Sequence, residues 1–227
     1  VDIIYYPSQV EVEEVRSKNP SKRIRAIPLY TLASAKIPDY NFSSRSGLLF
    51  VGGFNHPPNI DAMIWFVNEI LPQVVEKIPD ICLYIVGSNT SKSIESLKGP
   101  HVEVLGFLSD AELAVRYSLI KIVVVPLRFG AGVKGKVIES VQHNVPIVTT
   151  SIGVEGIPMW DQVMEVADDS VEFAEKIIQL YKNPRKLKSL MDNYPKWLLS
   201  NFDKGIAKKI LLEDFGSPEK DVYSVHS

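Results

Sequence analysis

Cysteine is nearly absent from this 227-residue chain: Cys82 stands alone, so no disulfide can form within it. The thiol lies in the apolar run Ile81-Cys82-Leu83-Tyr84-Ile85-Val86 and is expected to be a buried core group. No apolar run approaches the roughly 20 residues that a membrane-crossing helix needs, and the start carries no signal-peptide pattern. An excess of one charge is missing too. The 25 basic and 27 acidic residues leave a net charge of −2, which argues against a broad nucleic-acid or membrane surface. Metal-ligand spacing is not found around His101 or His143, which are read as structural. There is no Asp-x-Asp and no internal repeat. The chain begins at Val1 without an initiator Met and is read as part of something longer, with the cytoplasm as the expected compartment.

What is present is apolar content, 45% of the chain, arranged as a regular alternation. Asp2 to Tyr6 reads as extended, Ser8 as the N-cap of a helix from Gln9 to Ser17, and Ile24 to Ile27 as extended again. Residues 29–47 show no period and make the best linker. Leu48 to Val51 is then a strand, and a helix starting at Pro57 or Pro58 runs to about Lys77. Strands follow at Ile81 to Val86 and Val102 to Leu105, a helix capped by Ser109 over Asp110 to Ser118, and a strand at Ile122 to Val125. A helix from about Val133 to His143 leads to the strand Pro146 to Val148, and beyond residue 170 the pattern is purely helical. Such alternation predicts an α/β fold, a Rossmann-like doubly wound parallel sheet followed by C-terminal helices. The expected boundaries are an N-terminal piece over 1–30, a linker over 31–46, the main domain over 47–202, and a last helix with a frayed tail over 203–227.

In such sheets ligands bind beyond the carboxyl ends of the strands, and there the glycines gather: Gly52 and Gly53, Gly87, Gly106, and Gly130, Gly132 and Gly135. The last three occupy six residues directly after the strand Ile122 to Val125 and open a helix. Glycines there admit close backbone approach. N–H groups at a helix start, backed by Lys134 and Lys136, make an anion site suited to phosphate. Glu139 lies one turn after Lys136 on the same face, and a carboxylate accepts hydrogen bonds from sugar hydroxyls. Phosphate and sugar together indicate a nucleotide or nucleotide-sugar ligand; the plain alternative is a glycine-rich loop with Lys136 and Glu139 as a solvated ion pair. Gly130 to Lys136 matches G-x-x-x-x-G-K, but Val137 replaces the hydroxyl residue that holds magnesium in a P-loop. No G-x-G-x-x-G follows the first strand of the main domain, which speaks against a dinucleotide site.

The segments Phe50-Val51-Gly52-Gly53-Phe54-Asn55-His56-Pro57-Pro58-Asn59-Ile60-Asp61-Ala62, Tyr84-Ile85-Val86-Gly87, Val104-Leu105-Gly106-Phe107, Pro126 to Glu139, and Pro146 to Gly156 occur in an order and spacing that carry a resemblance. Over about residues 47–200 the chain resembles the C-terminal, donor-binding half of GT-B glycosyltransferases, specifically the bacterial group related to family GT4. The resemblance implies that this half holds the nucleoside diphosphate of an activated sugar, while a separate N-terminal domain, whose last elements residues 1–30 resemble, binds the acceptor. By matched position it implies that Glu139 holds the ribose hydroxyls and that Lys134 and Lys136 face the diphosphate. Gly52, Gly53 and Gly132 would then let the backbone approach the donor, and Gly106 and Phe107 would line the base. The sequence departs from the family where its first Glu often stands, here Ala131, and where many relatives carry basic residues, here Gly53 and Asn59.

The implied activity is transfer of a sugar from a nucleoside-diphosphate sugar to an acceptor hydroxyl, retaining, without a metal or other cofactor, in bacterial polysaccharide or glycoconjugate synthesis. The lysines would stabilise the leaving diphosphate. No catalytic side chain is assigned. The expected partners are a nucleotide-sugar donor and, through the missing domain, an acceptor sugar or glycolipid, with no nucleic acid; peripheral membrane placement of the full protein stays open. Two alternatives stand beside it: a catalytically silent nucleotide-sugar-binding domain, and an unrelated doubly wound nucleotide-binding enzyme.

Overall fold

A computed structural model describes residues 3–29 and 44–216. The expected frayed tail beyond Gly216 and residues 31–43 of the expected linker lie outside the described residues.

Six strands form one parallel sheet: β3 (Leu48–Val51), β4 (Leu83–Val86), β5 (Val102–Gly106), β6 (Ile122–Val125), β7 (Ile147–Thr149) and β8 (Glu165–Val166), in the order β5-β4-β3-β6-β7-β8. All five ladders are parallel, as the near-continuous apolar strands demand. Side-chain alternation splits the core in two. Leu48, Phe50, Leu83, Ile85, Ile122 and Val124 pack on one face against the helical run from Pro57 to Lys77 and against α7 (Ser170–Lys182). Leu49, Val123, Val125 and Ile147 pack on the other against α5 (Asp110–Leu119), α6 (Gly135–Gln142) and α8 (Pro184–Phe202). All four residues of β6 are buried, which is why its sequence shows no polar alternation.

The helix expected to reach Lys77 does so in three pieces: α2 (Pro57–Trp65), a π turn over Phe66–Ile70, and α3 (Leu71–Lys77). Pro72 lacks an N–H and cannot complete the regular ladder, and the wider turn precedes it. Other details differ from the expectations. Cys82 is half-exposed rather than buried, because it precedes β4 instead of lying within it. Helix α6 begins at Gly135, with Lys134 as an extended N-cap, not at Val133. The short helix α4 (Lys92–Glu95) and strand β8 were not expected; four and two residues carry no readable period. Within the expected linker, Arg45 is buried and donates to the Asn144 carbonyl at 2.8 Å, while Ser44 and Ser46 on either side are exposed.

The N-terminal piece forms its own two-stranded parallel sheet, β1 (Ile3–Tyr6) and β2 (Arg23–Ala26), crossed by α1 (Gln9–Lys18), which Ser8 caps as expected. The last helix, α9 (Lys204–Phe215), ties this unit to the rest. Tyr5 Oη donates to Asp214 at 2.7 Å, and Arg23 and Arg25 each reach the same carboxylate at 2.6 Å. The Tyr5 hydrogen bond, aided by Arg25 and Arg23, holds the Asp214 carboxyl below the usual range.

Candidate functional site

The strand order sets the place of the site. From β3 the chain winds outward through β4 and β5, then returns to β6 and winds the other way through β7 and β8. The loops after β3 and β6 therefore part, leaving a crevice at the carboxyl ends of the two central strands. Gly52 and Gly53 follow β3, and the glycine-rich loop follows β6.

Two side-chain bridges span this crevice. Lys136, in the first turn of α6, donates from Nζ to Asn59 Oδ1 on α2 at 2.7 Å, and its ammonium stands 4.3 Å from the Phe50 ring centroid. Asn59 in turn donates from Nδ2 to the Gly53 carbonyl at 2.8 Å. Arg128, in the loop after β6, grips Asp61 on α2 with two bonds of 2.9 and 2.5 Å. Burial, with the nearby Lys134 charge adding to it, pushes the Lys136 amine down to about 7. Lys134 is engaged elsewhere: its Nζ donates to the Gly132 carbonyl and lies 3.3 Å from Glu155 Oε2.

The glycines divide by what surrounds them. A Cβ on Gly52 would stand 2.6 Å from Lys136 Nζ and 2.9 Å from Asn59 Nδ2, so a side chain there would have to push the ends of both residues out of their present places. At Gly53 the nearest neighbour is Ser88 Oγ at 3.4 Å, so its bareness serves no internal contact. Gly132 takes a positive φ of 79°, a left-handed turn that favours glycine, and Glu11 Oε1 from α1 lies 3.2 Å from where its Cβ would be. Thus α1 of the N-terminal unit borders the glycine-rich loop.

Glu139 is half-buried, and among the described residues its carboxylate has no hydrogen bond or ion pair. Burial raises its pKa, and Asp110 adds to the rise. Gly106 ends β5 with an open side, and the Phe107 ring beside it is 74% exposed. Gly52 thus lies against Lys136 and Gly53 is linked to it through Asn59, whereas Gly106 and Phe107 stand two strands from β3. Lys136 does not pair with Glu139 as the surface-pair alternative required. Sequence reasoning missed Asn59, Arg128, Asp61 and Glu11, whose partners are all distant in the chain. His101 and His143 have structural contacts, an Ile81 carbonyl at 2.9 Å and the stacked Tyr117 ring at 4.3 Å.

A family model described as Glycosyl transferases group 1 matches residues 45–183. The chain is 32% identical over 176 residues to a Klebsiella pneumoniae protein known as an uncharacterized 44.6 kDa protein in the cps region; the match covers 74% of this chain and 45% of that one. Among solved structures, S. aureus TarM, a mutant in complex with UDP, fondaparinux and alpha-GlcNAc-glycerol, matches with a TM-score of 0.79 at 17% identity, over 96% of this chain and 44% of that one. The pneumococcal O-GlcNAc transferase GtfA, in complex with UDP and GlcNAc, matches with a TM-score of 0.71 at 16% identity, over 94% and 44%. This chain therefore spans less than half the length of these relatives, and it shares with the structures the expected Rossmann-like fold of the GT-B type.

Proposed function

The chain belongs to the glycosyl transferases group 1, and on that premise we propose that it is the donor-binding half of an enzyme that moves a sugar from a nucleoside diphosphate to an acceptor hydroxyl. The observation that carries this reading is the Lys136 amine, held over Gly52 and beside the bare Gly53 backbone at the point where the sheet reverses its winding. UDP is the ligand named for the TarM and GtfA structures, which supports a uridine nucleotide as the first probe.

The diphosphate takes the Lys136 ammonium and the helix-start N–H groups of α6, which together stabilise the charge that grows on the leaving group. The amines provide this charge without a divalent metal. Glu139, a half-buried carboxylate with unused acceptors, takes the ribose hydroxyls. Phe107 offers an exposed ring to the base. The acceptor site belongs to a separate N-terminal domain, whose last elements the β1-α1-β2 unit resembles, so the chain alone binds donor but transfers no sugar. Retention of anomeric configuration, a cytoplasmic setting and a role in polysaccharide synthesis complete the reading; the last draws support from the cps-region relative.

Calorimetry with UDP, GDP, ADP and dTDP, with and without EDTA, tests it. At least one diphosphate is expected to bind, and chelation is expected to leave its affinity unchanged. Binding of none of them, or a large loss with EDTA, contradicts the reading. A second test uses Gly53→Ala. The added methyl meets only Ser88 Oγ at 3.4 Å, so stability should stay within about 0.5 kcal/mol of wild type. Affinity for the diphosphate should fall about tenfold or more, because the methyl occupies space the ligand approaches. Unchanged affinity would remove Gly53 from the site.

A further inference from the structure

We propose that Asn59 is the positioning residue of the phosphate site: its amide, anchored at one end on the Gly53 carbonyl, holds the Lys136 ammonium over Gly52 and leaves the charge uncancelled for the diphosphate. The assignment deepens the donor-site reading and rests on it.

The two hydrogen bonds fix which way the amide faces. The Gly53 carbonyl can only accept, so Nδ2 must face it at 2.8 Å, and Oδ1 is left to accept from Lys136 Nζ at 2.7 Å. Asn59 is 7% exposed and sits in the first turn of α2, so the amide has little room to turn away. Its position joins the two halves of the crevice, since α2 follows β3 and α6 follows β6. Gly52 completes the arrangement, because a Cβ there would collide with both Lys136 Nζ and Asn59 Nδ2.

The choice of an amide has a chemical consequence. An aspartate of the same shape would also accept from Lys136, but it would neutralise the ammonium and repel a phosphate. A neutral acceptor orients the amine without doing either. An ammonium has three donors; Asn59 takes one, and the Phe50 face attracts the cation from β3. The charged groups that bear on Nζ are Lys134, which disfavours the ammonium, and Glu139, which favours it. Burial and Lys134 together bring the amine to about 7, so near neutrality the empty site holds a mixture of amine and ammonium. An arriving diphosphate favours the ammonium and draws in a proton. Affinity should therefore be highest when the amine is already protonated and should fall as pH rises above about 7.

The experiment compares wild type, Asn59→Asp and Asn59→Ala in two readouts. One is the NMR titration of the Lys136 amine in the ligand-free chain. The other is calorimetry of UDP and of uridine from about pH 6 to about pH 9. In Asn59→Asp the new carboxylate should raise the Lys136 midpoint, flatten the pH dependence of UDP binding and weaken UDP at least about tenfold, with uridine within about twofold. Asn59→Ala should not raise the midpoint but should also weaken UDP selectively. If UDP binds and Asn59→Asp leaves both midpoint and affinity unchanged, the positioning role is overturned while the donor site stands. If the midpoint moves but UDP binds to no form of the chain, the donor-site reading falls and the assignment falls with it.

Discussion

Replacing Gly87 by alanine is expected to lower the melting temperature by roughly 2–12 °C and to abolish nucleotide binding in the same variant. Gly87 follows β4, and a Cβ at that position would stand 1.9 Å from the carbonyl oxygen and 2.8 Å from the carbonyl carbon of Gly52. The obstacle is backbone, so no side-chain rotation relieves it. The ends of β3 and β4 must separate, straining the bonds from Gly52 N to Val86 O and from Gly87 N to Gly106 O, both 2.9 Å. Overpacking of this kind costs about 1–3 kcal/mol, and a chain of this size loses about 2–4 °C for each kcal/mol. Binding fails because Gly52 is the seat of the Asn59–Lys136 bridge, and a shift of the Gly52 backbone carries the bridge with it. Thermal melts and UDP calorimetry on the same sample check both parts. A variant that melts with wild type and binds UDP normally would contradict the account of how the two loops support each other.

The contrast between what could and could not be read in the sequence follows chain distance. β6 was legible because four consecutive β-branched residues before a glycine loop fit a strand buried on both faces. Helices α1 and α5 were legible from Ser8 and Ser109, whose side chains accept from backbone N–H groups three residues on. Local spacing does not show a partner that is remote in the chain. Three residues separate Lys136 from Glu139, which offers an ion pair, yet the amine bonds to Asn59, 77 residues away. Asn59 follows two prolines at a helix start, where many relatives carry a basic residue, and nothing nearby in the chain names its partner; only the reversal of the sheet brings it against α6. Lys134 pairs with Glu155, and Glu11 comes to the glycine loop from helix α1 of the N-terminal unit, so neither contact leaves a periodic trace. Cys82 lies in an apolar run, but β4 starts one residue later, which leaves the thiol half-exposed.

The central claim is that Lys136 meets the diphosphate and Glu139 the ribose. The amine sits within reach of the bare Gly53 backbone, and the carboxylate is one turn deeper along α6 with its acceptors unused. Removing Glu139 should therefore weaken nucleoside and nucleotide alike, since ribose is common to both. Removing Lys136 should weaken only the ligand that carries phosphate, by roughly 1.5–3 kcal/mol for a lost charge-assisted hydrogen bond. The most direct measurement is calorimetry of Lys136→Ala with UDP and with uridine at about pH 6.5, where the wild-type amine, set at about 7, is largely protonated. The account predicts a loss of about tenfold or more for UDP and none for uridine; equal losses for the two ligands, or no loss for either, would contradict it.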